Sequence, residues 1–122
     1  MRPHRKLLAW QESIQFAKDI YILTQELPTE EKFGLISQVR RAAVSIPLNI
    51  AEGAVRQSEK EFIKFLFIAE GSSSEVDTLL EIFKVLDFFT EEKLKLYFEK
   101  NEKIAALTCG LRRSIQRKIN EK

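Results

Sequence analysis

The chain is 122 residues long, 44% hydrophobic and 31% charged, with a formal net charge of +2. That length fits one domain, and four Gly and three Pro are too few for a turn-rich all-β fold. The small net charge excludes a uniformly basic nucleic-acid binder, and the single cysteine, Cys109, excludes an intrachain disulfide and fits a reducing cytoplasm.

Residues 1–122 read as a single domain, with 1–6 a mobile arm ahead of the first helix. The opening Met-Arg-Pro-His-Arg-Lys has no sustained apolar region and is not a signal peptide. The longest apolar run, Phe65 to Ala69, falls far short of the roughly 20 residues a membrane span needs, so no membrane partner is expected.

The first helix is predicted from about Leu7 to Glu26. Leu7, Trp10, Ile14, Ala17, Tyr21 and Thr24 recur at steps of three and four, with Ile20 and Leu23 widening the stripe. Pro28 ends it, because a residue before proline avoids the α region. The second helix is predicted from Thr29, a candidate N-cap followed by Glu30 and Glu31, to about Glu52, with Gly53 as a C-terminal stop. Its inner face reads Leu35, Val39, Ala42, Ala43, Ile46, Ile50 and Ala51. Pro47 cannot donate to the carbonyl of Ala43, which predicts a kink; the rival is a helix ending at Ser45 and another beginning at Pro47.

The third helix opens on Ser58-Glu59-Lys60-Glu61, a Ser-x-x-Glu capping box, and is predicted to continue to about Phe88. Its stripe runs through Phe62, Phe65, Leu66, Ala69, Ser73, Val76, Leu79, Leu80, Phe83 and Leu86. Gly71-Ser72-Ser73-Ser74 is either a break or a small-residue notch for a neighbouring helix; the unbroken phase favours the notch. The fourth helix follows Thr90, another N-cap candidate, along Leu94, Phe98, Ile104, Ala105, Thr108, Leu111, Ile115 and Ile119. Cys109 falls on it as a small buried or half-buried residue. Short connections between long helices predict an all-α, antiparallel up-down-up-down four-helix bundle.

Ile63, Phe67, Ile68, Ile82, Val85 and Phe89, with Phe16 and Ile22, lie off these stripes. They are exposed, packed in a wider core or buried against another chain, and a homo-oligomer is the favoured reading.

Charge is unevenly spread. Residues 1–56 hold eight basic and six acidic residues, 57–105 seven and eleven, and 106–122 five and one. In such a bundle both termini and the second connection share one end, gathering Arg2, Arg5, Lys6, Arg56, Lys60, Arg112, Arg113, Arg117 and Lys118. The other end gathers Glu26, Glu30, Glu31, Glu81, Asp87, Glu91 and Glu92. The basic pole is a candidate phosphate-binding surface for RNA or DNA. Complementarity to helix dipoles explains part of the pattern, but not the basic arm. Arg40 and Arg41 sit mid-helix, and Arg41 is expected to pair with Glu75 or Asp77. Asn49 and Gln38 are expected to satisfy local backbone or cross-helix groups, Asn49 near carbonyls freed by Pro47.

Catalytic chemistry is hard to place. One His (His4) and one Cys make zinc ligand sets or a nucleophile pair impracticable, no Glu-x-x-His motif suits a di-iron bundle, and no phosphate-binding glycine loop exists. No enzyme activity, cofactor or metal is expected.

Phe33-Gly34-Leu35, Gln38, Arg40-Arg41-Ala42-Ala43, Ser45-Ile46-Pro47 and Asn49-Ile50-Ala51-Glu52-Gly53 closely resemble the bacterial 23S rRNA-intervening-sequence proteins. The match extends to Trp10, to Arg56 with Ser58, and to Phe62, Phe65, Leu66, Ala69-Glu70-Gly71-Ser72 and Glu75, so it covers about 7–90. The resemblance implies an up-down bundle that assembles as a cyclic oligomer, typically a pentamer. Some members of that family are encoded within insertions in large-subunit ribosomal RNA genes and others are free-standing. The accessory variability determinant of diversity-generating retroelements looks like a relative, a basic pentameric barrel associated with nucleic acid and reverse transcriptase. For most of the family no activity is established. The expectation is a non-enzymatic homo-oligomer binding nucleic acid through its basic pole, the alternative a protein-interaction scaffold or accessory subunit.

Overall fold

Helix-period apolar stripes and side-chain caps divide the chain into four long α-helices. In a computed structural model, which describes residues 2–121, they are α1 (Leu8–Thr24), α2 (Ser37–Ala54), α3 (Glu59–Val85) and α4 (Glu91–Glu121), with no strand among those residues. The Ser58 hydroxyl accepts from the Glu61 N–H at 3.3 Å and starts α3. The Thr90 hydroxyl accepts from the Lys93 N–H at 3.1 Å and starts α4. Thr29 is not an N-cap. It lies inside a 3-10 turn (Thr29–Glu31) that leads into a π-helical turn (Lys32–Ile36), where Gly34 departs from helical dihedrals, so regular α2 begins only at Ser37.

Each helix packs antiparallel to its neighbours, α1 against α2 and α4, and α3 against α2 and α4. Leu66, Val76, Leu80 and Phe83 of α3 meet Val39, Ile46 and Ile50 of α2 in the shared core. In α1 the buried arc is Ala9, Ser13, Phe16, Ile20, Leu23 and Thr24. This corrects the stripe read from the sequence: Ile14 and Tyr21 are exposed, and Phe16 is core. The helix carries apolar residues on two overlapping arcs, and the buried arc hides its hydroxyls. Ser13 donates to the Trp10 carbonyl at 2.9 Å, and Thr24 to the Ile20 carbonyl at 2.8 Å. The off-stripe residues divide. Phe16, Ile63 and Phe89 complete a wider core, whereas Ile22, Phe67, Ile68 and Val85 remain exposed.

α2 runs unbroken through the buried Pro47, so the two-helix rival is not found. Asn49 donates to the Ser45 carbonyl at 2.8 Å and to its hydroxyl at 2.9 Å, a bond to local backbone beside the proline. Gly53 is not a stop either, because α2 ends one residue later. A Cβ at Gly53 would stand 2.8 Å from both Phe62 Cδ1 and Phe65 Cβ. The glycine is therefore the point of close approach between α2 and α3.

The small-residue segment of α3 is a notch, but its serines make it. Ser72 donates to Ser45 of α2 at 2.9 Å. Ser73 donates to Asn101 Oδ1 of α4 at 3.0 Å, and Asn101 Nδ2 returns a bond to the Ser73 carbonyl at 2.9 Å. Gly71 faces open space. The reciprocal Ser73–Asn101 pair is buried, so each partner satisfies the other, and the sequence reading had not singled out Asn101.

α3 stops at Val85, three residues earlier than the pattern suggests, because Asp87 adopts a left-handed φ of 63°. The Phe88 N–H then closes on the Phe83 carbonyl at 3.0 Å. A Cβ in that conformation is costly, so Asp87→Gly should raise stability by about 0.5–1 kcal/mol, read as a shifted denaturant midpoint at unchanged slope.

Candidate nucleic-acid interface

Cross-helix contacts fix which ends of the helices meet. α4 is held against α1 by Lys93–Glu26 at 3.2 Å, Lys100–Asp19 at 2.8 Å and Lys103–Glu12 at 3.0 Å, so numbers rise on one as they fall on the other. Such exposed pairs contribute about 0–1 kcal/mol each, and their value here is as markers of register. Ser45–Ser72 and Gly53 against Phe62 set α2 and α3 in the same way. The amino-terminal segment, the α2–α3 connection and the last turns of α4 therefore share one pole.

The segment expected as an arm folds as a 3-10 turn (Pro3–Lys6) bordering α1 and α2. The His4 ring lies 4.9 Å from that of Trp10, and the Arg5 guanidinium stands 5.5 Å above the same indole. Gln11 donates to the Arg5 carbonyl at 2.7 Å. These contacts bring Arg2, Arg5 and Lys6 to the surface of the pole rather than into the core.

Two of the nine sequence-predicted cations are occupied by carboxylates of the chain itself. Arg56 pairs with Glu52 one turn earlier and covers the Phe65 ring at 4.9 Å. Arg112 forks onto Glu70, Nε to Oε2 at 2.5 Å and NH2 to Oε1 at 3.2 Å, and lies 4.4 Å above the Phe67 ring. Its hydrogen bond to Glu70 holds the Arg112 guanidinium above its ordinary pKa against the opposing effect of burial. The Glu52–Arg56 spacing of four was legible in the sequence. The Glu70–Arg112 pair was not, since it joins residues 42 apart. Arg2, Arg5, Lys6, Lys60, Arg113, Arg117 and Lys118 are all exposed, and none has an ion pair among the described residues.

At the opposite pole Glu26 pairs with Lys93, and Glu81 with Lys84. The Glu81 hydrogen bond, with its charge, raises the Lys84 ammonium pKa. Arg40 reaches back to α1, donating from Nε to the Thr24 hydroxyl at 2.8 Å and from NH2 to the Tyr21 carbonyl at 3.2 Å, over the Tyr21 ring at 4.4 Å. Arg41 does not form the expected pair: neither Glu75 nor Asp77 lies within ion-pair distance, and all three side chains are exposed. The α2 register turns Arg41 outward while Arg40 takes the seam.

Cys109 is half-buried on α4, its sulfur 3.4 Å from Arg112 NH2. No group of three metal-ligating side chains occurs among the described residues, and no helix there is long and apolar enough to cross a membrane.

No curated protein matches the sequence. A solved structure from Bacteroides thetaiotaomicron, described as a protein of unknown function from the S23 ribosomal protein family, is similar with a TM-score of 0.79 and 28% identity. The alignment covers 85% of this chain and 97% of that one. Residues 5–110 match the family described as 23S rRNA-intervening sequence protein, a span that takes in the caps, the Ser73–Asn101 pair and the Gly53 crossing. The antiparallel four-helix bundle built around the Pro47 helix is thus that of a relative as well as of this sequence, and the chain belongs to the 23S rRNA-intervening sequence protein family.

Proposed function

We propose that the protein is a non-enzymatic homo-oligomer of the bacterial cytoplasm that holds RNA or other nucleic acid on its basic pole. The observation that carries the reading is the gathering of seven exposed cations, with no ion pair among the described residues, at the end where the amino-terminal turn, Lys60 and the last turns of α4 meet. Ammonium and guanidinium groups spread over one surface suit phosphates irrespective of sequence, and bases would be read weakly or not at all. A cyclic assembly, with a pentamer favoured, would repeat that pole around an axis and multiply its field. The exposed Phe33, Leu48, Phe67, Ile68 and Val85 supply apolar surface for contacts between copies.

The test is a comparison of RNA affinity between the wild-type protein and an Arg113→Ala/Arg117→Ala variant, with Lys18→Ala, an exposed position of α1 away from that pole, as the control. The pole variant should bind more weakly on every sequence tried, and the control should match the wild type. Arg112→Ala should cost less affinity than Arg113→Ala, because Arg112 is already engaged by Glu70. Equal affinity in all five proteins would reject the basic pole. The scaffold alternative draws on the same exposed apolar residues; a protein complex that survives nuclease and high salt would favour it.

A further inference from the structure

The pole opposite the cations carries two surface features that complement each other. The first is at the α1–α2 seam. Phe33, on the π-helical turn, is 90% exposed, the most exposed large apolar side chain among the described residues. It borders a shallow hollow of about 350 Å³ to which Lys32, Arg40 and Arg41 contribute charge and Tyr21 a ring, with no carboxylate in the lining. Lys32 Nζ stands 5.7 Å from the Phe33 ring, so the protruding phenyl is flanked by positive charge.

The second feature is on the outer face of the first turns of α4. There a hollow of about 540 Å³ with a mostly apolar surface is lined by Phe98 and rimmed by Glu91, Glu92 and Glu99, against one ammonium, Lys95. No described residue fills it. The Glu26–Lys93 pair sets the start of α4 level with the end of α1, so both features lie at one height along the bundle. They lie on different sides of it: Arg40 reaches α1 across its seam, while Asn101, farther along α4, turns to α3.

We infer that the Phe33 turn of one copy docks in the Phe98 hollow of the next, with Lys32 and Arg41 against the rim of Glu91, Glu92 and Glu99. The occupant is a second copy of this chain, because the chain supplies both halves of the match: apolar projection to apolar hollow, cations without acids to acids in excess. Aromatic and arginine side chains at the centre of a patch are the residues that dominate interface energetics. Opposed charges would fix orientation and reject the reversed pairing. The two surfaces differ, so the contact is heterologous, and equal height gives it little axial rise, which suits a closed ring rather than a filament. This assignment rests on the homo-oligomer reading above and specifies its interface.

The test is mass in solution, by sedimentation or light scattering, of the full chain and three variants. Phe33→Ala and a Lys32→Glu/Arg41→Glu variant remove the projecting side; a Glu91→Lys/Glu92→Lys/Glu99→Lys variant reverses the rim. All of these positions are exposed, and circular dichroism checks that each variant keeps its helicity. The wild type should have a multiple of the chain mass and each variant the mass of one chain. Mixing the Phe33→Ala variant with the rim variant should yield a species of two chains, since the rim variant keeps the projection and the Phe33→Ala variant keeps the hollow; mixing the Lys32→Glu/Arg41→Glu variant with the rim variant restores opposite charges at every contact of an alternating array and should give assemblies of more than two chains, with equal numbers of each. A monomeric wild type would overturn both the interface and the oligomer reading. A wild-type oligomer left intact by all three variants would overturn the interface alone.

Discussion

Replacing Phe16 with alanine should destabilise the bundle by about 3–5 kcal/mol, whereas Ile14→Ala on the neighbouring arc should cost less than about 1 kcal/mol. Phe16 is 1% exposed and Ile14 39%, so the first substitution opens a cavity and the second mainly trims surface. Ile20 on the next turn of α1 and Ile104 of α4 are likewise buried, and in a close-packed core held by two helices they cannot both collapse into the space left by a phenyl ring. For a chain of this size 1 kcal/mol moves the melting temperature by about 4 °C, so the Phe16 variant should melt roughly 12–20 °C lower. Equal effects at the two positions would mean that α1 is rotated from the arrangement described.

Glycine offers a second contrast with opposite signs. Gly53→Ala should destabilise by about 1–3 kcal/mol, and Gly53→Val by more, because the added Cβ meets Phe65 Cβ and Phe62 Cδ1 at 2.8 Å and the Phe62 carbonyl oxygen at 3.2 Å. Two of those atoms belong to the backbone or its first side-chain carbon and cannot swing aside, so α2 and α3 would have to separate. Gly110→Ala meets nothing within 4 Å on an exposed face of α4 and should stabilise by about 0.5–1 kcal/mol through helix propensity alone. Urea unfolding of the pair would read both shifts, and a stabilised Gly53→Ala protein would contradict the close crossing.

These contrasts mark what the sequence could and could not reveal. The four helices, their order, and the caps at Ser58 and Thr90 follow from spacing and local chemistry, and the structure has them. The phase of α1 was not legible, because Trp10, Ile14 and Tyr21 offer an apolar arc as good as that of Phe16, Ile20 and Leu23. Neighbouring helices make the choice, and Ser13 and Thr24 disguise it by bonding to their own backbone. Gly53 was correctly singled out but for a different reason, since a close approach belongs to two helices and a stop to one. Asp87 is an aspartate where glycine or asparagine would have announced the left-handed turn.

The candidate site was legible to the same depth. Up-down topology alone brought the termini and the α2–α3 connection together, and with them the cations. Which cations stay unpaired was not, because the Glu70–Arg112 fork depends on side chains meeting across α3 and α4. The Arg41–Glu75 pair looked natural on paper, yet both groups face outward. The charged surface that sequence arithmetic reduces to a net +2 is thus divided by the fold into one pole with seven exposed cations that make no ion pair among the described residues and another where the Glu26–Lys93 and Glu81–Lys84 pairs lie.

The central claim, that free cations at one pole hold phosphates, is tested most directly by titrating salt against the affinity of the wild-type protein for RNA and DNA. The account predicts that log K falls linearly with log salt concentration, with a slope of about −0.7 per phosphate engaged on single strands and about −0.9 on B-form DNA. Binding that ignores salt, or no binding at low salt, would contradict it.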